Sequence, residues 1–434
     1  MQKEKKILLV AIILGIGLFG MLVHFYGYVN TWHLWNIPAH KSPFLDLRVI
    51  TGGAESYSAG FDPAINNPFD PIHRIFNYPK IWYLILASGI NQNWTMPIAL
   101  VMIGLFLLSV ILFPGRLTWF STSLLVFALC SSAVMLEFER ANVDGFFFVM
   151  MTAGLLLLDV SAIASFIVLL ISILFKIFPV FGLAYFLDRE KKASIKYPLF
   201  SILFTCLYFV VTLKEMIFIF NNTPKGYDLS YGTSVFPALL AKLVGLSRIE
   251  NGFPFFYRVI HALNTLAVRF PYITYLIAVI IIVIFLLLGF VHRNEFKDSD
   301  LRNLRAFWMG AGIYIGTFLL GNNWDYRLIF LLFTIPQLGD WAMGMNKQTA
   351  NIARMILVML FLALWYLVIN ETMAHFLLLG TYIATLLDQA ADWGLFAGLI
   401  YLFGFSMPGW LIESCRAFVD LILALNLRAK NRLG

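Results

Sequence analysis

Asp46 stands as an isolated carboxylate in Phe44-Leu45-Asp46-Leu47-Arg48, a short way beyond a long apolar run. A carboxylate among apolar residues is partly desolvated. Desolvation favours its protonated form and so makes it a better proton acceptor. The competing reading is a structural pair with Arg48 or a helix cap. Lys176, in Phe175-Lys176-Ile177-Phe178-Pro179, interrupts another apolar stretch. Ionisable groups in such stretches are functional candidates, although a lysine can also snorkel to the membrane surface. The adjacent proline marks a helix break. Glu139-Arg140-Ala141-Asn142-Val143-Asp144 packs two acids and a base between apolar runs. Arg140 could fork onto a phosphate, while the plainer reading is a solvated loop. Asn322-Asn323-Trp324-Asp325-Tyr326-Arg327 is a dense polar run, readable as cationic chemistry or as an aromatic belt with an Asp–Arg pair.

Other ionisable groups carry weaker signals. Asp62-Pro63 and Asp70-Pro71 have the form of turn starts, and Glu55 stays open. Glu371, His375, Asp388 and Asp392 could line a cavity. No His, Asp or Glu grouping has metal-ligand spacing, and no Walker A, G-x-G-x-x-G with a charged partner, or H-E-x-x-H occurs. No cofactor is therefore expected, and metal dependence is open.

The elements that must position these groups are apolar. The chain has 434 residues, of which 60% are hydrophobic and 13% charged. Soluble domains carry about 25% charged residues, so the expected class is an all-α, polytopic membrane bundle in a single domain, residues 1–434. Counting runs gives about twelve transmembrane helices, with both termini inside. The net charge of +7 is spread over tails and turns, where it sets topology, and is not a nucleic-acid signal. Ile7–Val29 reads as a retained anchor. Two long external loops follow, about 30–77 and 214–270, with short interfacial helices. Tyr78–Ile90 reads as lying along the surface. Val143–Leu158 and Ala162–Phe175 read as short helices, and Leu328–Met343 as a descending span. Cys130, Cys206 and Cys415 read as buried small hydrophobes. The second loop holds Lys214, Lys225, Lys242, Arg248, Arg258 and Arg269 against Glu215, Asp228 and Glu250, an excess that could attract an anionic lipid or sugar phosphate. With a lysine-led N-terminus inside, loop one, Glu137–Asp144, Lys176 and Asn322–Arg327 all fall on one face.

Taken in order, Leu45-Asp46-Leu47, Phe61-Asp62-Pro63, Phe76-Asn77-Tyr78-Pro79, Glu139–Asp144, Phe175–Pro179 and Asn323–Leu328 resemble the integral-membrane glycosyltransferases of the GT-C fold that use polyprenyl-phosphate sugars. The nearest branch is the polyprenol-phosphate-mannose-dependent mannosyltransferases, and the likeness covers most of Ile7–Met343. It departs from the usual pattern at Lys80 and at Ala141, where glycine is usual. The resemblance implies a catalytic base at Asp46 and donor-phosphate cations at Arg140, Lys176 and Arg327. Arg48, Tyr78, Glu139 and Asp325 are substrate-binding candidates beside them. It implies a polyprenyl-phosphate sugar donor, a glycan or glycolipid acceptor, and a site facing the periplasm or exterior of a bacterial plasma membrane.

Chemically, a base must take the proton of an attacking sugar hydroxyl. Fixed cations must meet the charge growing on a lipid-phosphate leaving group. One carboxylate and direct displacement predict inversion. Two other readings fit parts of the sequence. One is a polysaccharide polymerase or ligase acting on polyprenyl-diphosphate glycans, which would rest on arginines more than on Asp46. The other is a lipid-linked-sugar transporter, which would place ionisable residues along helix middles.

Overall fold

The computed structural model describes residues 2–187, 195–245, 254–293, 300–344, 346–377, 379–411 and 413–414. The cluster Asp188–Lys192, Arg248, Glu250, Cys415 and the tail Arg428–Arg432 lie outside the described residues.

The apolar runs are helical, as expected where a backbone has few partners but itself. α1 (Lys3–Tyr26) stops at Gly27, whose φ of 78° lies in the left-handed region. The chain then continues as the short α2 (Tyr28–His33). Loop one contains α3 (Leu45–Ser58) and leads to α4 (Tyr83–Leu86), the short apolar piece expected after Pro79. α5 (Thr95–Ile111), α6 (Trp119–Leu129) and α7 (Ser132–Arg140) follow. α8 (Val143–Leu158) and α9 (Ala162–Phe175) have the bounds read from the sequence. Both start at side-chain caps: Asn142 accepts from the Asp144 N–H and Ser161 from the Ala164 N–H. α10 (Lys196–Val211) bends into α11 (Leu213–Asn222). The second long loop continues through α12 (Val235–Val244) and α13 (Pro254–Arg269). α14 (Ile273–Val291), α15 (Leu301–Leu319), α16 (Ile335–Ala342), α17 (Lys347–Leu364), α18 (Tyr366–Phe376) and α19 (Gly380–Ser406) complete the bundle. Among the described residues, one short ladder pairs Ser230–Tyr231 antiparallel to Asn323–Trp324.

Among the described residues, four helical stretches are long and apolar enough to cross a membrane: Lys3–Tyr26, Gln92–Ile111, Ile273–Val291 and Lys347–Leu364. The bent pairs α6–α7 (51°) and α10–α11 (80°) raise this to six if each is one span. The molecule also carries its grease outside. Val10, Ile13, Leu14, Ile16 and Leu18 of α1 are all more than half exposed, which suits hydrocarbon and not water. These features are compatible with a membrane protein. Cys130 and Cys206 correct one expectation: both are exposed, because their apolar runs turn these faces outward instead of into the core.

Two segments are wound more tightly than the sequence suggests. Phe178–Phe186 and Asp325–Thr334 are 3₁₀ helices of nine and ten residues, where runs beyond three or four residues are uncommon. The expected span Leu328–Met343 is thus a 3₁₀ segment followed by α16, with Pro336 in its first turn. Both segments pack on α15. A β-carbon at Gly316 would overlap the Phe181 ring at 2.0 Å, and one at Gly310 would meet the Phe330 carbonyl at 2.6 Å. Small residues on α15 therefore admit both segments to close approach.

Candidate functional site

Asp46 lies in the first turn of α3, where the helix dipole favours an anion. Its Oδ1 accepts from Arg74 NH1 at 3.0 Å and its Oδ2 from Asn142 Nδ2 at 2.9 Å. Arg48 is therefore not its partner. Arg48 donates to the Pro43 carbonyl and to Gln92, and so ties loop one together. Arg74 is anchored by Asp70, which accepts at Oδ1 (2.9 Å) and Oδ2 (3.2 Å), and it donates as well to the Leu45 carbonyl. Burial alone would push the Arg74 guanidinium down. Asp70 and Asp46 more than reverse that and hold it above its ordinary value.

Asn142 joins two halves of the site. While its Nδ2 holds Asp46, its Oδ1 accepts from the Asp144 N–H at 3.0 Å. Asp144 is fully buried. It receives Lys176 Nζ on Oδ1 at 2.5 Å and Arg327 Nε on Oδ2 at 2.8 Å. The fold thus brings Lys176 and Arg327 together on one carboxylate, and one amide side chain links that carboxylate to Asp46. Lys176 is placed by the end of α9, whose C-cap it forms in extended conformation. Arg327 is placed by the 3₁₀ segment and by Asn323, whose Oδ1 accepts from its NH1. Glu137, also buried, accepts from the Gly145 N–H at 2.7 Å. A β-carbon at 145 would press on that carboxylate at 2.6 Å.

Aromatic rings enclose the two cations. Lys176 Nζ is 5.8 Å from the Tyr78 ring centre and 5.9 Å from those of Phe147 and Phe178. The Arg327 guanidinium is 4.7 Å from Phe178. Burial, followed by the charges of Asp46 and Asp144, pushes the Tyr78 phenol well above its usual range.

Exposure separates two kinds of group. The side chains of Asp46, Arg74, Lys176 and Arg327 are 20%, 23%, 17% and 15% exposed, whereas Asp70 and Asp144 are sealed. Lys176 and Arg327 thus share one sealed carboxylate, and the Asn142 side chain links it to the accessible acid Asp46.

The remaining predicted residues lie beside this cluster or apart from it. Arg140 pairs with buried Glu139 at 3.1 Å and donates to the Pro38 carbonyl at 2.9 Å. Glu139 also accepts from the His40 N–H at 3.4 Å. This pair joins α7 to loop one without entering the Asp144 contacts. Asp325 is buried, and its charged neighbour is Asp388. Asp392, one turn on from Asp388, accepts from Tyr314 at 3.2 Å and from Gln389 at 3.3 Å. Asp62 starts a turn as expected, accepting from the Ala64 N–H, and it also takes the Tyr83 hydroxyl at 2.6 Å. In the second loop, Lys242 is neutralised by Asp228 at 3.1 Å and Glu215 accepts from the Lys80 N–H.

Sequence reasoning missed Arg74, Asn142 and Asp144 as site members. The signal for Asn142 was available, since Asn two residues before Asp at a helix start is a cap. Backbone strain marks the same region. Asn36, Phe44, His73 and Ala141 carry a positive φ, between 43° and 61°. Phe44 directly precedes α3 and Ala141 directly precedes Asn142. Non-glycine residues held in this conformation concentrate at functional sites. Among the described residues, no group of three or more His, Cys, Asp or Glu could hold a metal ion. Compared with known proteins, the chain matches no family model, no curated protein and no solved structure.

Proposed function

We propose that this protein is a polytopic membrane glycosyltransferase of GT-C type that moves a sugar from a polyprenyl-phosphate donor to a glycan or glycolipid acceptor, with inversion. The observation that supports this best is the pairing of Lys176 and Arg327 on Asp144, one amide away from the partly exposed Asp46. In this reading the donor phosphate competes with Asp144 for the two cations. Arg140 adds a further contact through the guanidinium hydrogens that Glu139 and Pro38 leave uncommitted. The cations meet charge as it grows on the leaving phosphate. Asp46 accepts the proton of the acceptor hydroxyl, and Arg74 with Asn142 fixes the angle at which it does so. Tyr78 and the phenylalanines keep water from the cations and so strengthen the attraction. The twelve-span topology, with this site on the outer face, belongs to the same proposal.

The test is Asp46→Asn, assayed in detergent with a polyprenyl-phosphate sugar. Transfer should fall by about 10²–10⁴-fold, with the protein folded and donor still bound. Turnover within a few-fold of the parent would remove Asp46 as the base.

One observation favours a second reading, the lipid-linked-sugar transporter. Asp388 and Asp392 are buried one turn apart within the 27-residue α19, and buried ionisable groups inside a helical bundle of a membrane protein are candidates for a transport path. Asp388→Asn with Asp392→Asn in proteoliposomes decides between the two. Loss of lipid-linked-sugar translocation with transfer intact would establish transport. Intact transfer in vesicles that move no lipid-linked sugar would exclude it.

A further inference from the structure

A second cationic site lies at the other end of α1. Lys5 lies in the first turn of this helix, whereas loop one and Asp46 follow its far end, about 32 Å away along the axis at 1.5 Å per residue. A cavity of about 520 Å³ is formed there by the start of α1, the Pro114–Arg116 turn and the start of α15. Lys5, Arg116 and Arg302 line it, against the single acid Asp300.

That acid is already committed. Asp300 Oδ1 caps α15 by accepting from the Arg302 N–H at 3.0 Å, and Oδ2 accepts from the Arg116 N–H at 3.0 Å. Lys5 Nζ donates to a neutral carbonyl, that of Phe113. Among the described residues, no acid pairs with Lys5 or with the Arg116 guanidinium. Arg302 shares Asp159 with Arg305, at 2.8 Å and 3.2 Å. Among the described residues, Lys5 and the Arg116 guanidinium therefore face the cavity without a paired acid, and Arg302 adds a guanidinium whose one acid, Asp159, is shared with Arg305. The surroundings of the cavity are those of a membrane boundary. Leu112 on its wall is 48% exposed, Val10 on α1 is 54% exposed, and Lys3 lies 5.8 Å from the exposed Trp119 ring. Lysine and tryptophan at a helix end beside exposed aliphatic side chains suit the level of lipid headgroups.

We propose that this cavity binds a phosphate ester, with Arg116 and Arg302 forking onto its oxygens and Lys5 closing behind them. Anionic phospholipid is one source of that group, its acyl chains lying along the apolar faces of α1 and α5. Free phosphate is the other. Basic pockets between helices hold anionic headgroups in this way.

The experiment uses the full chain in neutral detergent. Its thermal midpoint and its bound lipid, read by native mass spectrometry, are measured with phosphatidylglycerol, with phosphatidylcholine and with inorganic phosphate. Phosphatidylglycerol should raise the midpoint by several degrees and stay bound, while phosphatidylcholine does neither. Arg116→Gln and Arg302→Gln should each weaken phosphatidylglycerol binding by about fivefold. Arg116 is exposed, so its variant should fold as the parent does. Stabilisation by inorganic phosphate alone, lost in Arg116→Gln, would assign the site to the free anion. No stabilisation by either phosphate source, or phosphatidylglycerol binding unchanged in both variants, would overturn the site.

Discussion

Asp46 and Asp144 are two carboxylates on either side of Asn142, and each accepts two side-chain donors. They differ in what surrounds them. Asp46 sits at a helix start with its side chain 20% exposed, and its donors are one cation, Arg74, and one neutral amide, Asn142. Asp144 is sealed, and its donors are cations from segments 32 and 183 residues away. The difference separates tasks. A sealed acid that binds two cations is an anchor. An acid that keeps an open edge is the one a substrate can reach.

The sharpest way to break this comparison is Asp144→Ala. It leaves two cations in an enclosed site without their counter-ion, and removing one partner of a buried pair costs about 3–5 kcal/mol. Stability to chemical denaturation should drop accordingly and transfer should vanish, whereas Asp46→Asn, which keeps an oxygen for Arg74, should cost no more than about 1.5 kcal/mol. Equal stability losses in the two variants would erase the distinction between anchor and reactant.

Lys176→Met and Arg327→Met come next. A hydrogen bond to a charged group contributes about 1.5–3 kcal/mol, so donor affinity, measured by titration of a polyprenyl-phosphate sugar, should fall by roughly 10–150-fold in each. Affinity unchanged in both would reject the phosphate role. Arg140→Met should weaken the donor by less than either. An effect as large as theirs would move the phosphate toward the Glu139–Arg140 pair.

The smallest effect concerns stability alone. Ala141 holds a φ of 43° that costs a residue with a β-carbon about 1–2 kcal/mol, so Ala141→Gly should raise the denaturation midpoint by about 1 kcal/mol. A decrease would show that the methyl group's packing outweighs the strain.

What the sequence disclosed follows from the range of each interaction. α8 and α9 were legible to the residue because apolar runs bounded by Asn142, Ser161 and Lys176 carry their own end signals. Lys176 and Arg327 stood out because charge in apolar surroundings is conspicuous. Their meeting on Asp144 was not legible, since no local pattern joins positions so far apart. Arg74 was hidden by its neighbour: Asp70-Pro71 has the form of a turn, and the same carboxylate also grips the guanidinium four residues on. The 3₁₀ winding of Asp325–Thr334 was invisible because its composition suits an α-helix equally well. The segment packs closely on α15, where Gly310 leaves room for the Phe330 carbonyl, a contact that no local pattern announces.

That tight winding has a mechanical corollary. Ten residues rise about 20 Å as a 3₁₀ helix but about 15 Å as an α-helix. Arg327, third in its stretch, and Lys176, just ahead of the other, are thus mounted on over-extended coils. If either coil relaxed, its cation would be drawn back by a distance comparable to the width of a phosphate group. The position of these two cations and the pitch of the two coils are one mechanical variable.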